Sequence, residues 1–312
     1  MPLIERASSP VDRQRIIDLL KESLGLAEAA VELDPGFLQW KYWTPHPLFG
    51  GNRSQVIEKE GKLLAHGCIW PIQLVTPLGR PMCFHLIDWA ARRDAPGAGM
   101  QVLRRCGSGL TANFSIGGSA MTKQILPTVG FRYYNPVYFL GGPLPPLDRN
   151  LPAGWDVAIR KPKEIPESLW PGVSSGLASG MRSPQLLEHV SNCPVIGESL
   201  CCVLYKHSNP MAYLFLIQVR EQLRLADYGP AELDEETSVM LGQAVQKLAK
   251  SLFPSATEFM AATSETGVLA GLLGAGFCLR DEEPIKVLKT GTGLEQIDRF
   301  RLTLLDWDLL CR

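Results

Sequence analysis

An internal repeat constrains this chain more than any other feature. Residues Ser119 to Leu140 have an altered second copy near the C-terminus. The step from Ser119 to Gly130 matches the step from Glu265 to Gly276, and each glycine is followed by a phenylalanine, Phe131 or Phe277. A short polar stretch then leads to Pro136-Val137-Tyr138-Phe139-Leu140 in one copy and Pro284-Ile285-Lys286-Val287-Leu288 in the other. Solenoid repeats recur at roughly 20–50 residues, so a period this long implies two domains of one fold.

The repeat extends upstream. Residues 56–65 read as two strands turning at Gly61, and residues 202–219 read the same way with the turn placed at Asn209-Pro210. Each hairpin leads to a strand ending in Asp-aromatic, Asp88-Trp89 or Asp227-Tyr228. Each half therefore orders as helix, hairpin, strand, helix, strand, helix, strand. Ser9-Pro10-Val11-Asp12 marks the first helix start, Ile16, Ile17, Leu20 and Leu24 give its apolar face, and Gly25 ends it. Leu241, Val245, Leu248 and Leu252 form a matching stripe in the second half.

At 312 residues, each half can bury enough apolar surface to fold. The expected division is a first domain over 1–142, a Pro/Gly-rich surface linker over 143–180, and a second domain over 181–312. A net charge of -1 argues against a general nucleic-acid partner. No apolar run approaches a membrane span, and the N-terminus does not read as a signal peptide. The eight cysteines lack metal-site or disulfide spacing, so no metal is expected and the chain reads as a reduced, cytoplasmic protein. The adjacent Cys201 and Cys202 should face opposite sides of a strand. Nothing in the sequence sets an oligomeric state.

Chemistry is expected after the strand ending at Ala90 and Ala91. Arg92-Arg93-Asp94-Ala95-Pro96-Gly97-Ala98-Gly99 precedes a helix. Glycines at a helix start let backbone approach a ligand, and the unpaired N–H groups there favour an anion. The segment reads as a pyrophosphate cradle to which Arg92 or Arg93 adds charge, or else as a plain strand–turn–helix connection. The second half has Gly229-Pro230-Ala231-Glu232-Leu233-Asp234-Glu235-Glu236 at this place, whose carboxylates would repel a pyrophosphate.

With this order of elements, the Gly-x-Gly turn and the later Gly-Phe, the chain resembles the GNAT N-acyltransferase superfamily, as a tandem pair. The family's motif is Arg/Gln-x-x-Gly-x-Gly/Ala. Gly97 and Gly99 match its glycines, whereas Asp94 replaces Gln or Arg and Pro96 removes an N–H. The resemblance implies an α/β (α+β) chain of two GNAT-like domains, each a mixed, largely antiparallel sheet flanked by helices. It implies acetyl-CoA or another acyl-CoA as co-substrate, with its pyrophosphate on Asp94, Ala95, Gly97, Ala98 and Gly99 and its pantetheine arm beside Ala90. Ser119 stands where the family often has an asparagine bonding that arm.

Acyl transfer needs a base for the ammonium and an acid for the departing thiolate. The resemblance places the family's tyrosine acid at Leu126, or Leu272 in the second copy, so the usual acid is missing. Tyr133 and Tyr134 are near, and Tyr134 is kept as a candidate. His85 and Asp88 are the candidate bases, or else a hydrogen-bonded strand histidine and a structural turn residue. The recurrence of Asp88 as Asp227 in the half without a cradle favours the structural reading of the aspartate. Trp40, Tyr42 and Trp43 offer either stacking surfaces for an acceptor or core packing. The expected activity is N-acylation of a small-molecule amine, with aminosugar precursors as the acceptor class that the resemblance suggests. The alternatives are a non-catalytic acyl-CoA-binding or scaffold protein, or a FemAB-like aminoacyl transferase that would use aminoacyl-tRNA.

Overall fold

A computed structural model describes residues 3–108, 112–116, 118–146, 150–280, 285–291, 294 and 297–311, without the side chains of 112, 114, 134, 285–291 and 309. The first half runs β1 (Ile4–Ala7), α1 (Arg13–Leu24), α2 (Pro35–Leu38), β2 (Ser54–Lys59), β3 (Lys62–Val75), β4 (Met82–Ala91), α3 (Ala98–Gly107), β5 (Ala112–Ile116), α4 (Ala120–Thr128) and β6 (Arg132–Pro143). The second runs β7 (Trp155–Arg160), β8 (Leu177–Gly180), α5 (Pro184–Ser191), β9 (Glu198–Lys206), β10 (Asn209–Val219), β11 (Gln222–Gly229), α6 (Glu235–Leu252), β12 (Glu258–Thr263), α7 (Thr266–Gly274), β13 (Ile285–Gly291) and β14 (Arg299–Arg301). Both halves are mixed sheets flanked by helices, as the repeat implies.

The Gly-Phe units end α4 and α7 by one mechanism. Gly130 and Gly276 take left-handed backbone, with φ of 93° and 87°. The next N–H turns back, from Phe131 to the carbonyl of Leu126 at 3.1 Å and from Phe277 to that of Leu272 at 3.1 Å. Phe131 then packs on Leu126, the apolar contact that accompanies this helix stop. A β-carbon at either glycine would cost about 1–2 kcal/mol in that conformation.

The second hairpin turn is displaced from its expected place. Asn209 and Pro210 lie in β10, and the turn is His207-Ser208, both with positive φ. Glu60-Gly61 makes the same two-residue turn in the first half, also with both φ positive. The right-handed strand twist favours this turn, and register outweighs the turn preference of Asn-Pro.

The two sheets are not separate. Strands follow the order β1-β2-β3-β4-β5-β13-β6-β12-β11-β10-β9-β7. One strand of each half, following α4 or α7, is exchanged: β13 pairs with β5 of the first half, β6 pairs with β12 of the second, and the two exchanged strands pair with each other. The residues read as a surface linker also take part in the fold. Trp155–Arg160 adds β7 to β9 as an edge strand, and buried Leu177–Gly180 pairs with both β14 and β3. Short strands between proline- and glycine-rich turns carry too few residues to show a period, which is why this stretch reads as irregular.

Burial alternates along the strands, so each sheet has two covered faces. On β4, Cys83, Ile87 and Ala90 face α1, while Phe84 and Leu86 face α3. On β10, Tyr213, Phe215 and Ile217 face a core shared by both halves, while Leu214 and Leu216 face α6 and α7. Cys201 and Cys202 fall in these two different cores, as strand alternation requires. The C-terminal segment, including Phe300, Leu304, Leu305 and Trp307, is buried in the shared core.

Candidate active site

Strands β4 and β5 run parallel only from Cys83–His85 against Ala112–Phe114, then diverge. His85 holds the opening. Its Nε2 accepts the N–H of Ile116 at 3.3 Å, replacing the ladder bond that β4 no longer supplies. That bond engages the Nε2 lone pair and places the ring proton on Nδ1. His85 is 5% exposed and hydrogen-bonded within the sheet, the arrangement of the strand-histidine alternative.

Beyond it β4 bulges. His66 pairs with Ala90 and Cys68 with Ile87, so Asp88 and Trp89 both stand opposite Gly67. Asp88 has φ 49°, a strain of about 1–3 kcal/mol for a residue with a β-carbon. Its polar groups are held from three sides. Tyr42 donates to its carboxylate at 2.6 Å, and the Lys41 ammonium lies 2.6 Å away. His66 Nδ1 lies 3.2 Å from its carbonyl, and Ser54 lies 2.9 Å from His66 Nε2. With Ser8 donating to Ser54, a directed chain Ser8–Ser54–His66–Asp88 fixes the bulge. Burial, ahead of the opposing pull of Asp88, lowers the His66 pKa to about 4, so the ring is neutral and donates from Nδ1. Asp88 is thus tied into buried structure, in keeping with the recurrence of Asp227.

The cradle residues gather at the start of α3. Gly97, φ 85°, caps that helix, and nothing lies within 4 Å of a β-carbon built there. Ala98 N–H is used by Ala95 at 3.2 Å, while Gly99 and Met100 N–H groups have no backbone acceptor among the described residues. Asp94 is compensated: Lys62 lies 2.9 Å and Arg92 3.1 Å from its carboxylate, and these bonds lower its pKa. Arg92 also pairs with Glu22 at 2.5 Å, which leaves exposed Arg93 as the cradle arginine with no partner among the described residues. The Ala90 side chain packs toward α1, away from the cradle.

Among the described residues, helices α3 and α4 flank the opening without the close packing that joins α6 to α7. Trp89 lies between them: its Nε1 donates to Gly99 at 2.8 Å, and its ring packs on Leu126 and Phe131. Ser119 caps α4, its Oγ accepting from Thr122 N–H at 3.2 Å. Tyr134 lies on β6, its side chain outside the described residues. In the second half the matching space is closed, because α6 and α7 pack directly. A β-carbon on Gly271 would lie 2.1 Å from the Ser238 carbonyl, and one on Gly242 2.5 Å from that of Gly271. Asp234 caps α6 through Thr237 N–H at 2.7 Å, and cis Gly229-Pro230 occupies the preceding turn.

Each bent strand ends in a buried ion cluster closed by the C-terminal segment. Lys41, fully buried, bridges Asp88 and Asp308 at 2.6 Å each. Arg182 bridges Asp227, at 2.8 and 3.2 Å, and Asp306, at 2.9 and 2.9 Å. Burial alone would raise the Asp227 pKa, but Arg182 and then Arg301 outweigh it and hold the carboxyl below its usual range. These cations were not singled out in the sequence. Lys41 was visible as a lone charge among Trp40, Tyr42 and Trp43, whereas Arg182 carries no local signal. Trp40 proves to be core, stacking on His189 of the second half at 5.0 Å, and Trp43 is half-buried with its N–H on Ser8.

No protein-family model and no curated protein matches the sequence. Among the described residues no helix is long and apolar enough to cross a membrane. Solved structures do match. A tandem GNAT protein from the clavulanic acid biosynthesis pathway superposes with TM-score 0.62 at 10% identity, covering 94% of this chain and 99% of that one. A GCN5-related N-acetyltransferase from Sphaerobacter thermophilus gives 0.59 at 12% identity, covering 93% and 95%. Saccharomyces cerevisiae N-myristoyltransferase with bound myristoyl-CoA gives 0.59 at 10%, covering 93% and 81%. At such low identity these likenesses speak to architecture: the chain has the tandem GNAT fold.

Proposed function

We propose that the chain is an N-acyltransferase that takes acetyl-CoA or another acyl-CoA in its first half and acylates a small amine. The observation that carries this reading is the asymmetry of the two openings. The β4/β5 divergence lies beneath helices that, among the described residues, are not closely packed, and its counterpart is shut by α6 on α7. The cradle suits a pyrophosphate, because Gly99 and Met100 N–H groups, the α3 start and Arg93 supply donors and charge while Asp94 is compensated. The acyl donor supplies an activated thioester. The amine nitrogen bonds its carbonyl carbon, the C–S bond breaks, and the proton passes to solvent and the leaving thiolate. The protein's part is to position the arm along β4 and to exclude water.

Titration calorimetry of acetyl-CoA, longer acyl-CoAs and desulfo-CoA tests the site. Asn and Asp both tolerate the left-handed backbone of Gly97 and both cap helices, so Gly97→Asn and Gly97→Asp differ in charge alone. Gly97→Asp should bind CoA roughly 10–100-fold more weakly than Gly97→Asn. Equal affinities would refute the placement, and no CoA binding at all would turn attention to the aminoacyl-transfer alternative. An amine panel that includes aminosugars tests the acceptor. The second reading, acyl-CoA binding without turnover, draws support from the engaged lone pair of His85 and from Leu126 in the acid's place. Binding with no turnover across the panel would establish it.

A further inference from the structure

A cavity of about 540 Å³ opens between the N-terminal turn and the chain that follows α2. Tyr42, Trp43 and Phe49 give it an aromatic wall, and His46, Gly50 and Arg53 also line it. No carboxylate is among its lining residues. Arg53 is 2% exposed. Its Nη2 donates to the carbonyls of Trp40 at 2.7 Å and Thr44 at 2.6 Å, while Nη1, also buried, has no acceptor among the described residues. The group facing it that can turn anionic is the Cys68 thiol, and burial holds that thiol neutral, far above its usual range. His46 adds no charge: burial and then Arg53 push it down to about 2, and its Nδ1 accepts Leu48 N–H at 3.2 Å.

The wall thus carries one charge, positive and uncompensated. Holding the Trp40 and Thr44 carbonyls needs two donors but not a full charge, and a buried cation without a counter-charge is costly. We propose that this cavity binds a small monocarboxylate with an aromatic or branched apolar body, whose negative charge complements Arg53. Arg53 is the one cation among the lining residues, with the Arg13 guanidinium 5.7 Å over the Trp43 ring, and a monoanion matches that single lining charge better than a phosphate dianion. The half-buried Trp43 and Phe49, backed by buried Tyr42, give the apolar body its surface. The inference stands on the cavity and does not depend on acyl transfer.

Ligand-observed NMR on the CoA-free protein tests it, using phenylacetate and 3-phenylpropionate against 3-phenylpropionamide and phenyl phosphate. Both carboxylates should bind saturably, with the amide weaker by about tenfold or more. Arg53→Met should abolish that preference. Because removing a buried arginine can unfold the chain, Gly50→Asp and Gly50→Asn form a second pair. A β-carbon at Gly50 meets nothing within 4 Å, so either side chain fits. Gly50→Asp should weaken carboxylate binding by about tenfold relative to Gly50→Asn. Equal binding of acid and amide, equal affinity in the Gly50 pair, tighter binding of phenyl phosphate, or no saturable response at millimolar ligand would each overturn the proposal. None of these outcomes bears on CoA binding, so this site and the acyl-transfer reading can fail separately.

Discussion

Arg182→Met should be among the most destabilising single changes in this chain. Methionine keeps much of the apolar bulk, so the loss isolates the charge. It removes two hydrogen bonds to Asp227 and two to Asp306, all fully buried, and a further bond to Thr303 at 3.2 Å. Asp227 keeps Tyr213, Thr303 and Arg301, the last 3.8 Å away. Asp306 keeps the Thr303 N–H at 2.9 Å. Stranding one partner of a buried ion pair costs about 3–5 kcal/mol. At ~2 °C per kcal/mol for a chain of this size, the melting midpoint should fall by roughly 6–10 °C. Arg182→Lys should recover only part, since one ammonium cannot chelate two carboxylates. Urea unfolding followed by circular dichroism measures the effect. The folded-state pKa of Asp227 is depressed, so its stabilisation is present above the unfolded carboxylate value near ~4 and is lost as pH falls through the folded value. The gap between the native protein and Arg182→Met should therefore be full at neutral pH and narrow in acid. A neutral-pH loss under about 1 kcal/mol, or a gap that widens in acid, would refute the reasoning.

Further outcomes follow from the same geometry. Gly271→Ala should cost about 1–3 kcal/mol by forcing α6 from α7, without changing CoA affinity; calorimetry alongside urea unfolding checks both. His66→Phe removes the donor to the Asp88 carbonyl and should release the β4 bulge, seen as faster hydrogen exchange over 86–91 and destabilisation of about 1–3 kcal/mol. Acyl-CoA binding should change the tryptophan fluorescence, and Trp89→Phe should abolish that change; an unaltered change would place the arm elsewhere. His85→Gln retains a side chain that can accept from Ile116, so turnover at neutral pH should fall by less than roughly tenfold. A hundredfold loss that shrinks as pH rises would restore His85 as the base.

What the sequence revealed was local or repeated. Leu126 with Phe131 and Leu272 with Phe277 each build their helix stop within a few residues, so the paired units stand out in the chain. The asymmetry of the cradles was also readable, because glycines in one half and carboxylates in the other are neighbours in sequence. The rest depends on residues far apart. That β13 enters the first half follows from two strands meeting edge to edge, and no short pattern encodes a pairing partner. Asp306 and Asp308 look like surface acids near a chain end, and only their meeting with Arg182 and Lys41 makes them buried. The hydrogen bond of His85 goes to the backbone N–H of Ile116, whose lack of a partner on β4 appears only once β5 departs from that strand.

The exchanged strands bear on how such a chain can arise and be divided. A polypeptide carrying the first half alone would have a gap between β5 and β6, where β13 now sits. A second copy could fill that gap with its own final strand and have its gap filled in return, giving a closed two-fold dimer. The present chain has the layout of such a dimer made covalent by duplication. Covalent linkage guarantees the neighbour, which frees one copy to lose its opening while the strand it lends is retained. Cut in the connection between β6 and β7 and produced as two pieces, the chain should reassemble into one particle, and the first piece alone should not persist as a folded monomer. The closed second half is then kept for what it completes next door.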